Sequence, residues 1–222
     1  MKNDEYIKGR FVRELKNRFL CEVLVDNRYE ECYLPCSSKI SEFIDLTNKI
    51  VLLKRNKGIK TKTSFSLFGV YDDNENLILL DLNYLNILVK EQLYNVNSKR
   101  EIYVTPSFRS DIYLENEKKV IEVKGIISDK KKVEFPSVKA IRAEKQLIEI
   151  KKILLEGINV EYIIVLTNKE ICEIKFNPKR EKFIQLFKEC IELGMKLNVY
   201  TLKYEDNKFY LANNKKLQKF YK

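Results

Sequence analysis

Asp111 and the run Ile121-Glu122-Val123-Lys124-Gly125 stand on either side of a short polar turn, residues 115–118, and both flanks read as strands. Ile112, Tyr113 and Leu114 before it, with Val120 and Ile121 after it, supply the β-branched and aromatic content that strands favour. A turn centred on Asn116-Glu117 sets the register of the whole hairpin. Asp111 then faces Glu122, and Arg109 faces Lys124. Side chains two residues apart share a face, so these four project from one side. Ile112, Leu114, Ile121 and Val123 project from the other, into a core. Two carboxylates placed opposite each other repel unless a cation sits between them. A divalent metal with Lys124 beside it fits that place, and the arrangement suits metal-dependent phosphodiester chemistry.

Composition removes most competing chemistries. The chain has no histidine, which excludes Ser-His-Asp and Cys-His nucleophilic systems, His-ligated zinc and histidine general bases. Carboxylate, lysine, tyrosine, thiol and metal-bound water remain. Carboxylates match a hard oxygen-seeking cation best, here Mg2+ or Mn2+. The 42 Lys+Arg against 32 Asp+Glu give a net charge of +10, which points to a polyanionic partner, nucleic acid or an anionic surface. An AT-rich genome, whose codons raise Lys, Ile, Asn and Tyr, is a competing source of the same excess. The five cysteines (21, 32, 36, 172 and 190) form no Cys-x-x-Cys pair and read as reduced, mostly buried thiols of a cytoplasmic protein. The charged start, Met1-Lys2-Asn3-Asp4-Glu5, is unlike a signal peptide. No apolar run approaches the ~20 residues of a membrane span, so no membrane association is expected.

The 222 residues suit one large domain or two small ones. Residues 1–80 read as short strands at 9–15, 19–25, 29–34, 50–54, 64–71 and 77–80, with one brief helix at 38–45. Asp26-Asn27 and the Asp/Asn-rich stretch 72–76 supply turns. That pattern suggests a small OB-like β-barrel. Residues 81–222 alternate differently. A helix at 84–93 precedes the hairpin, and 132–135 reads as a third strand after it. A helix at 138–156 ends at Gly157, strands follow at 161–167 and 171–176, a helix at 180–193 ends at Gly194, and 197–202 forms a last strand before a polar hairpin. The fold class is thus α+β overall, an OB-like barrel followed by an α/β domain whose central mixed sheet is flanked by helices. Residues 1–80 hold 14 basic and 12 acidic side chains, leaving 28 and 20 for the rest. The positive excess sits in the half that carries the carboxylate pair, where it favours approach of a phosphate backbone.

Asp111 with Glu122-Val123-Lys124 has the form D-x(10)-E-x-K, the signature of the PD-(D/E)XK nuclease superfamily. A surface hairpin of alternating charge carries the same letters. The uniformly apolar opposite face, and the strand and long helix that follow, favour the nuclease reading. Over nearly its whole length the chain resembles the sugar fermentation stimulation protein family (SfsA). The segments that carry this resemblance are Gly9-Arg10-Phe11-Val12-Arg13-Glu14 with Asn17-Arg18-Phe19, Arg109-Ser110-Asp111-Ile112, Glu122-Val123-Lys124, Phe135-Pro136, and Arg142, Lys145 and Leu147. It departs from the family where Pro35 is followed by Cys36-Ser37-Ser38 rather than Asn-Thr-Gly, where Gln146 stands for a histidine, and where Phe108 stands for a serine. The resemblance implies an OB-like domain over 1–80, a PD-(D/E)XK nuclease-like domain over 81–222, and DNA binding with little sequence preference.

The reaction expected is metal-dependent hydrolysis of DNA, with RNA as a second substrate class. Asp111 and Glu122 would hold Mg2+ or Mn2+ with the Val123 carbonyl, and Lys124 would position or help deprotonate the attacking water. Arg109, Arg142 and Lys145 are candidate phosphate contacts. Lys54, Arg55 and Lys57 open the densest basic segment, with five cations over residues 54–62. It reads either as a phosphate-tracking barrel loop or as a solvated one. Phe65, Phe68 and Tyr71 could stack bases, yet their alternate spacing suits barrel core better. Glu91 reads as an exposed helix glutamate rather than a further ligand. The alternative function is a DNA-binding regulator of sugar metabolism with an inactive nuclease-like domain. No interface signature is visible, and the sequence leaves a homodimer open.

Overall fold

The computed structural model describes residues 5–17, 19–36, 39–57, 62–94, 97–137 and 141–221. Six strands open the chain: β1 (Tyr6–Glu14), β2 (Leu20–Val25), β3 (Arg28–Tyr33), β4 (Ile50–Arg55), β5 (Phe65–Tyr71) and β6 (Leu77–Leu79). Their order is β3-β2-β1-β4-β5-β6, and a parallel pairing of β3 with β5 closes the first five into a ring. This is the arrangement expected of residues 1–80. Alternation explains it: Cys21, Val23 and Val25 point inward along β2, and Leu53, Leu67 and Val70 join them in the ring's core. The helix expected at 38–45 is only a 3-10 turn, Ile40–Glu42, with residues 37 and 38 outside the described set. Glu14 holds that turn, accepting from the Ile40 amide at 2.6 Å and the Ser41 hydroxyl at 2.8 Å.

The second sheet is built from β7 (Ser98–Thr105), β8 (Phe108–Leu114), β9 (Lys119–Ile126), β11 (Asn159–Leu166), β13 (Lys196–Glu205) and β14 (Lys208–Asn213), in the order β14-β13-β11-β9-β8-β7. β11 runs parallel to both its neighbours, and the outer pairs are antiparallel. Seven of the eight β11 residues are buried, as a central strand covered on both faces requires. Two expectations change here. Residues 132–135 do form a strand, β10, but it pairs with β12 (Glu173–Phe176) in a separate two-stranded sheet. The place beside the hairpin is taken instead by β7, whose polar composition hides it in the sequence.

Among the described residues three helices cover the sheet: α1 (Leu82–Leu93), α2 (Ile141–Leu155) and α3 (Glu181–Glu192). Asp81 caps α1, its carboxylate accepting from the Asn83 and Tyr84 amides at 3.0 and 3.1 Å. α2 and α3 close on Gly157 and Gly194, both at positive φ. The next amide in each case reaches back five residues, Ile158 to the Ile153 carbonyl and Met195 to that of Cys190. On one sheet face Leu85, Leu88 and Val89 of α1 pack with Ile112, Leu114, Ile121 and Val123, together with Leu52, Phe68 and Leu79 from the ring. On the other, Leu147, Ile150 and Ile153 of α2 and Phe183 and Phe187 of α3 pack on Val120, Tyr162 and Ile164. The strand that carries Glu122 and Lys124 is therefore clamped from both sides.

Gly125 shows how tight that clamp is. A Cβ there would stand 2.4 Å from Leu82 Cδ2 and 2.9 Å from Leu85 Cδ2. Leu85 is fully buried and has no room to withdraw. We expect Gly125→Ala to lose about 1–3 kcal/mol of stability through overpacking, read as a lower urea midpoint. An unchanged midpoint would show that α1 rides loosely on β9.

Candidate metal centre

Ile112↔Ile121, Tyr113↔Val120 and Leu114↔Lys119 are the cross-strand pairs of the hairpin, the register read from its turn. The ladder stops at Ile112. Beyond it the strands open, and the Asp111 carboxylate fills the gap: Oδ2 accepts from the Val123 amide at 2.8 Å. Its other oxygen, Oδ1, accepts from Asn86 Nδ2 of α1 at 3.2 Å. Both oxygens are thus oriented, and each retains lone-pair capacity for a further partner.

Glu122, next to it on β9, is 1% exposed. Its Oε1 takes the Lys124 ammonium in an ion pair, while Oε2 is buried and has no hydrogen-bond partner. Lys124 also donates to Gln146 Oε1 of α2 at 2.9 Å. Loss of water pushes the Glu122 carboxyl up to about 7, the nearby cation of Lys124 opposes the rise, and the Asp111 charge adds to it. A buried acceptor without a partner is costly, and native interiors rarely leave one.

These groups line a cavity of about 620 Å³ between β8, β9, α1 and α2. Arg142 and Gln146 reach it from α2, and Asn83 and Asn86 from α1. Among the described residues no group of three or more Asp, Glu or Cys side chains is gathered to hold a metal. The oxygens closest to one another in this cavity that could receive a cation are those of the carboxylate pair expected from the sequence, Asp111 and Glu122. This pair fits Mg2+ or Mn2+, cations that are held through one or two carboxylates with water and phosphate completing the shell. The orphaned Oε2 is the atom such an ion would satisfy.

The other sequence candidates distribute unevenly. Arg109 does not meet Lys124. Its guanidinium bonds the Glu101 carbonyl at 3.0 Å and the Glu101 carboxylate, both on β7, and lies over the Tyr103 ring. Arg142 is exposed at the cavity, whereas Lys145 is exposed outside its lining. Lys54 and Lys57 both approach Glu5, at 4.0 and 3.6 Å, and Arg55 lies over Phe65 at 5.1 Å. None of the three lines the cavity. Residues 58–61 of that basic segment, and Arg18, lie outside the described residues. Glu91 is exposed and away from the cavity, and Phe65 and Phe68 are core. Sequence reasoning missed Asn86 as a support of Asp111. It noted Gln146 only as a substitution, although its spacing of four from Arg142 puts both on one helix face. Cys36, another departure from the expected pattern, lines the same cavity.

A family model described as the sugar fermentation stimulation protein RE domain matches residues 81–208. The sugar fermentation stimulation protein homolog of Clostridium beijerinckii is 29% identical over 191 residues, covering 82% of this chain and 83% of that protein. Its counterpart in Saccharolobus solfataricus is 30% identical over 200 residues, covering 89% and 80%. The fold matches the solved structure of Pyrococcus furiosus SfsA in complex with Ca2+, with a TM-score of 0.78 over 96% of each chain at 21% identity. The chain belongs to the sugar fermentation stimulation protein (SfsA) family.

Proposed function

We propose that the chain is a divalent-cation-dependent nuclease that hydrolyses DNA or RNA with little sequence preference. The observation that carries this is the buried, unpartnered Oε2 of Glu122 beside the oriented Asp111 carboxylate. The Ca2+ in the structure of the Pyrococcus furiosus protein supports it, since Ca2+ is a hard oxygen-seeking ion like Mg2+. The net charge of +10 favours a phosphate backbone as substrate. In this reading residues 1–80 form a nucleic-acid-binding domain and 81–222 the domain that cuts. Among the described residues no helix is long and apolar enough to cross a membrane.

Asp111 and Glu122 would hold a divalent cation, which when bound would neutralise charge at the phosphate and acidify water. The chain's own groups do the rest. Asn86 and the Val123 amide keep Asp111 in place. Lys124, paired with Glu122 and steered by Gln146, donates a hydrogen bond that orients the attacking water and offsets phosphate charge, while the proton the water loses passes to solvent. Arg142, on the open side, grips the phosphate. The water oxygen bonds to phosphorus, the ester bond to one sugar breaks with its electron pair on the sugar oxygen, and that oxygen takes up a proton.

Cleavage of single- and double-stranded DNA and RNA with Mg2+, Mn2+ or EDTA tests this directly. Cutting should require the cation and fall more than ~100-fold in Asp111→Ala, with folding intact. Equal cutting by the variant would remove Asp111 from the site. No cutting, with salt-sensitive binding shared by both proteins, would leave a DNA-binding regulator. A second expectation concerns pH. A proton on Glu122 competes with the cation, and the carboxyl titrates near 7. The cation concentration for half-maximal activity should therefore fall about tenfold between pH 6 and pH 8. A flat profile would exclude Glu122 as a ligand.

A further inference from the structure

The cavity that holds the carboxylates has an apolar side that cation binding does not use. Phe43, half-buried just after the 3-10 turn of the ring, lines it together with Leu82 at the start of α1 and Phe135 and Pro136 at the end of β10. Leu82 and Phe43 also pack against the ring's core, so this wall is made where the ring meets the second sheet. A volume of about 620 Å³ falls among the roughly 300–1,000 Å³ sites that hold one small molecule. A base still paired and stacked in a duplex does not enter such a space. An unstacked base does, and its usual receptors are aromatic and apolar side chains beside cations. Here the cations on the same cavity are Lys124 and Arg142, and Asn83 adds an amide able to donate and accept.

We propose that the cavity is a one-nucleotide pocket for single-stranded nucleic acid, the base lying against Phe43 and Leu82 and its phosphate meeting Lys124 and Arg142. This rests on the nuclease reading and narrows its substrate. A duplex interior would have to surrender a base to reach the carboxylates, and that unstacking is a barrier a single strand does not face.

The test pairs cleavage with binding. With Mg2+ or Mn2+, kcat/KM is measured on one oligonucleotide as a single strand and within a blunt duplex, for the wild type, Phe43→Leu and Arg142→Ala. Leucine keeps the apolar packing, and Arg142 is exposed, so at least one variant folds; thermal melts check both. Binding of a 2-aminopurine-labelled single strand is followed by fluorescence in Ca2+. The pocket predicts a single-strand preference of at least about tenfold, a loss of about tenfold in each variant, and a fluorescence change that weakens in Phe43→Leu. Duplex cut as fast as single strand overturns the pocket and leaves the nuclease standing. No cutting of any substrate, with a Phe43-dependent fluorescence change, upholds the pocket and sinks the nuclease reading. A 2-aminopurine signal indifferent to both substitutions overturns the pocket outright.

Discussion

A carboxylate withdrawn from water with one oxygen unsatisfied is the constraint around which this molecule is arranged. Glu122 sits on β9, between two covered faces of a six-stranded sheet, at 1% exposure. Charge is expensive there unless it is matched. Lys124 matches half of it, and the raised carboxyl shows that the match is incomplete. Asp111 makes the imbalance worse by bringing a second negative charge close. A chain under selection for stability alone would fill such a position with an apolar side chain; a chain that needs to concentrate negative charge around a cation keeps it.

The scaffold serves that arrangement from several directions. The two strands separate past Ile112, and the gap is bridged by the Asp111 side chain rather than by a backbone pair. α1 delivers Asn86 to the same carboxylate, and its close seat on Gly125 fixes how far the helix stands from the strand. α2 delivers Gln146 to Lys124 and Arg142 to the open side. The ring contributes Cys36 and Phe43 to the cavity wall, so its role is not confined to its own core. Ile127 of the second half, in turn, packs inside the ring's core cluster. The two parts shape one site.

The centre of this site was legible because a turn centred on Asn116-Glu117 sets one register for the hairpin, and that register puts Ile112, Leu114, Ile121 and Val123 on one face. The buried strand at 161–167 and the glycines at 157 and 194 were legible for similarly local reasons. What failed was tertiary. β7 reads Ser-Lys-Arg-Glu-Ile-Tyr-Val-Thr, and none of its residues is fully buried, so it lacks the apolar alternation that betrays a strand. Its omission had a consequence: with no strand beside β8, Arg109 had no visible partner but Lys124, when its partner is Glu101. Lys132–Phe135 was likewise assigned to the hairpin's sheet for want of the true neighbour. Asn86 and Gln146 lie 25 and 22 residues from the groups they touch, a distance at which local pattern carries no information about contact.

The central claim is that Asp111 and Glu122 form a cation site, and calorimetric titration of Mn2+ into the wild type and Glu122→Gln at pH 8 tests it most directly. Glutamine keeps the size of the side chain and removes the charge and the titration. The account predicts binding at one site in the wild type that is lost in the variant. Equal binding by the two proteins would contradict it, and would mean that the buried carboxylate is held for some purpose other than a metal.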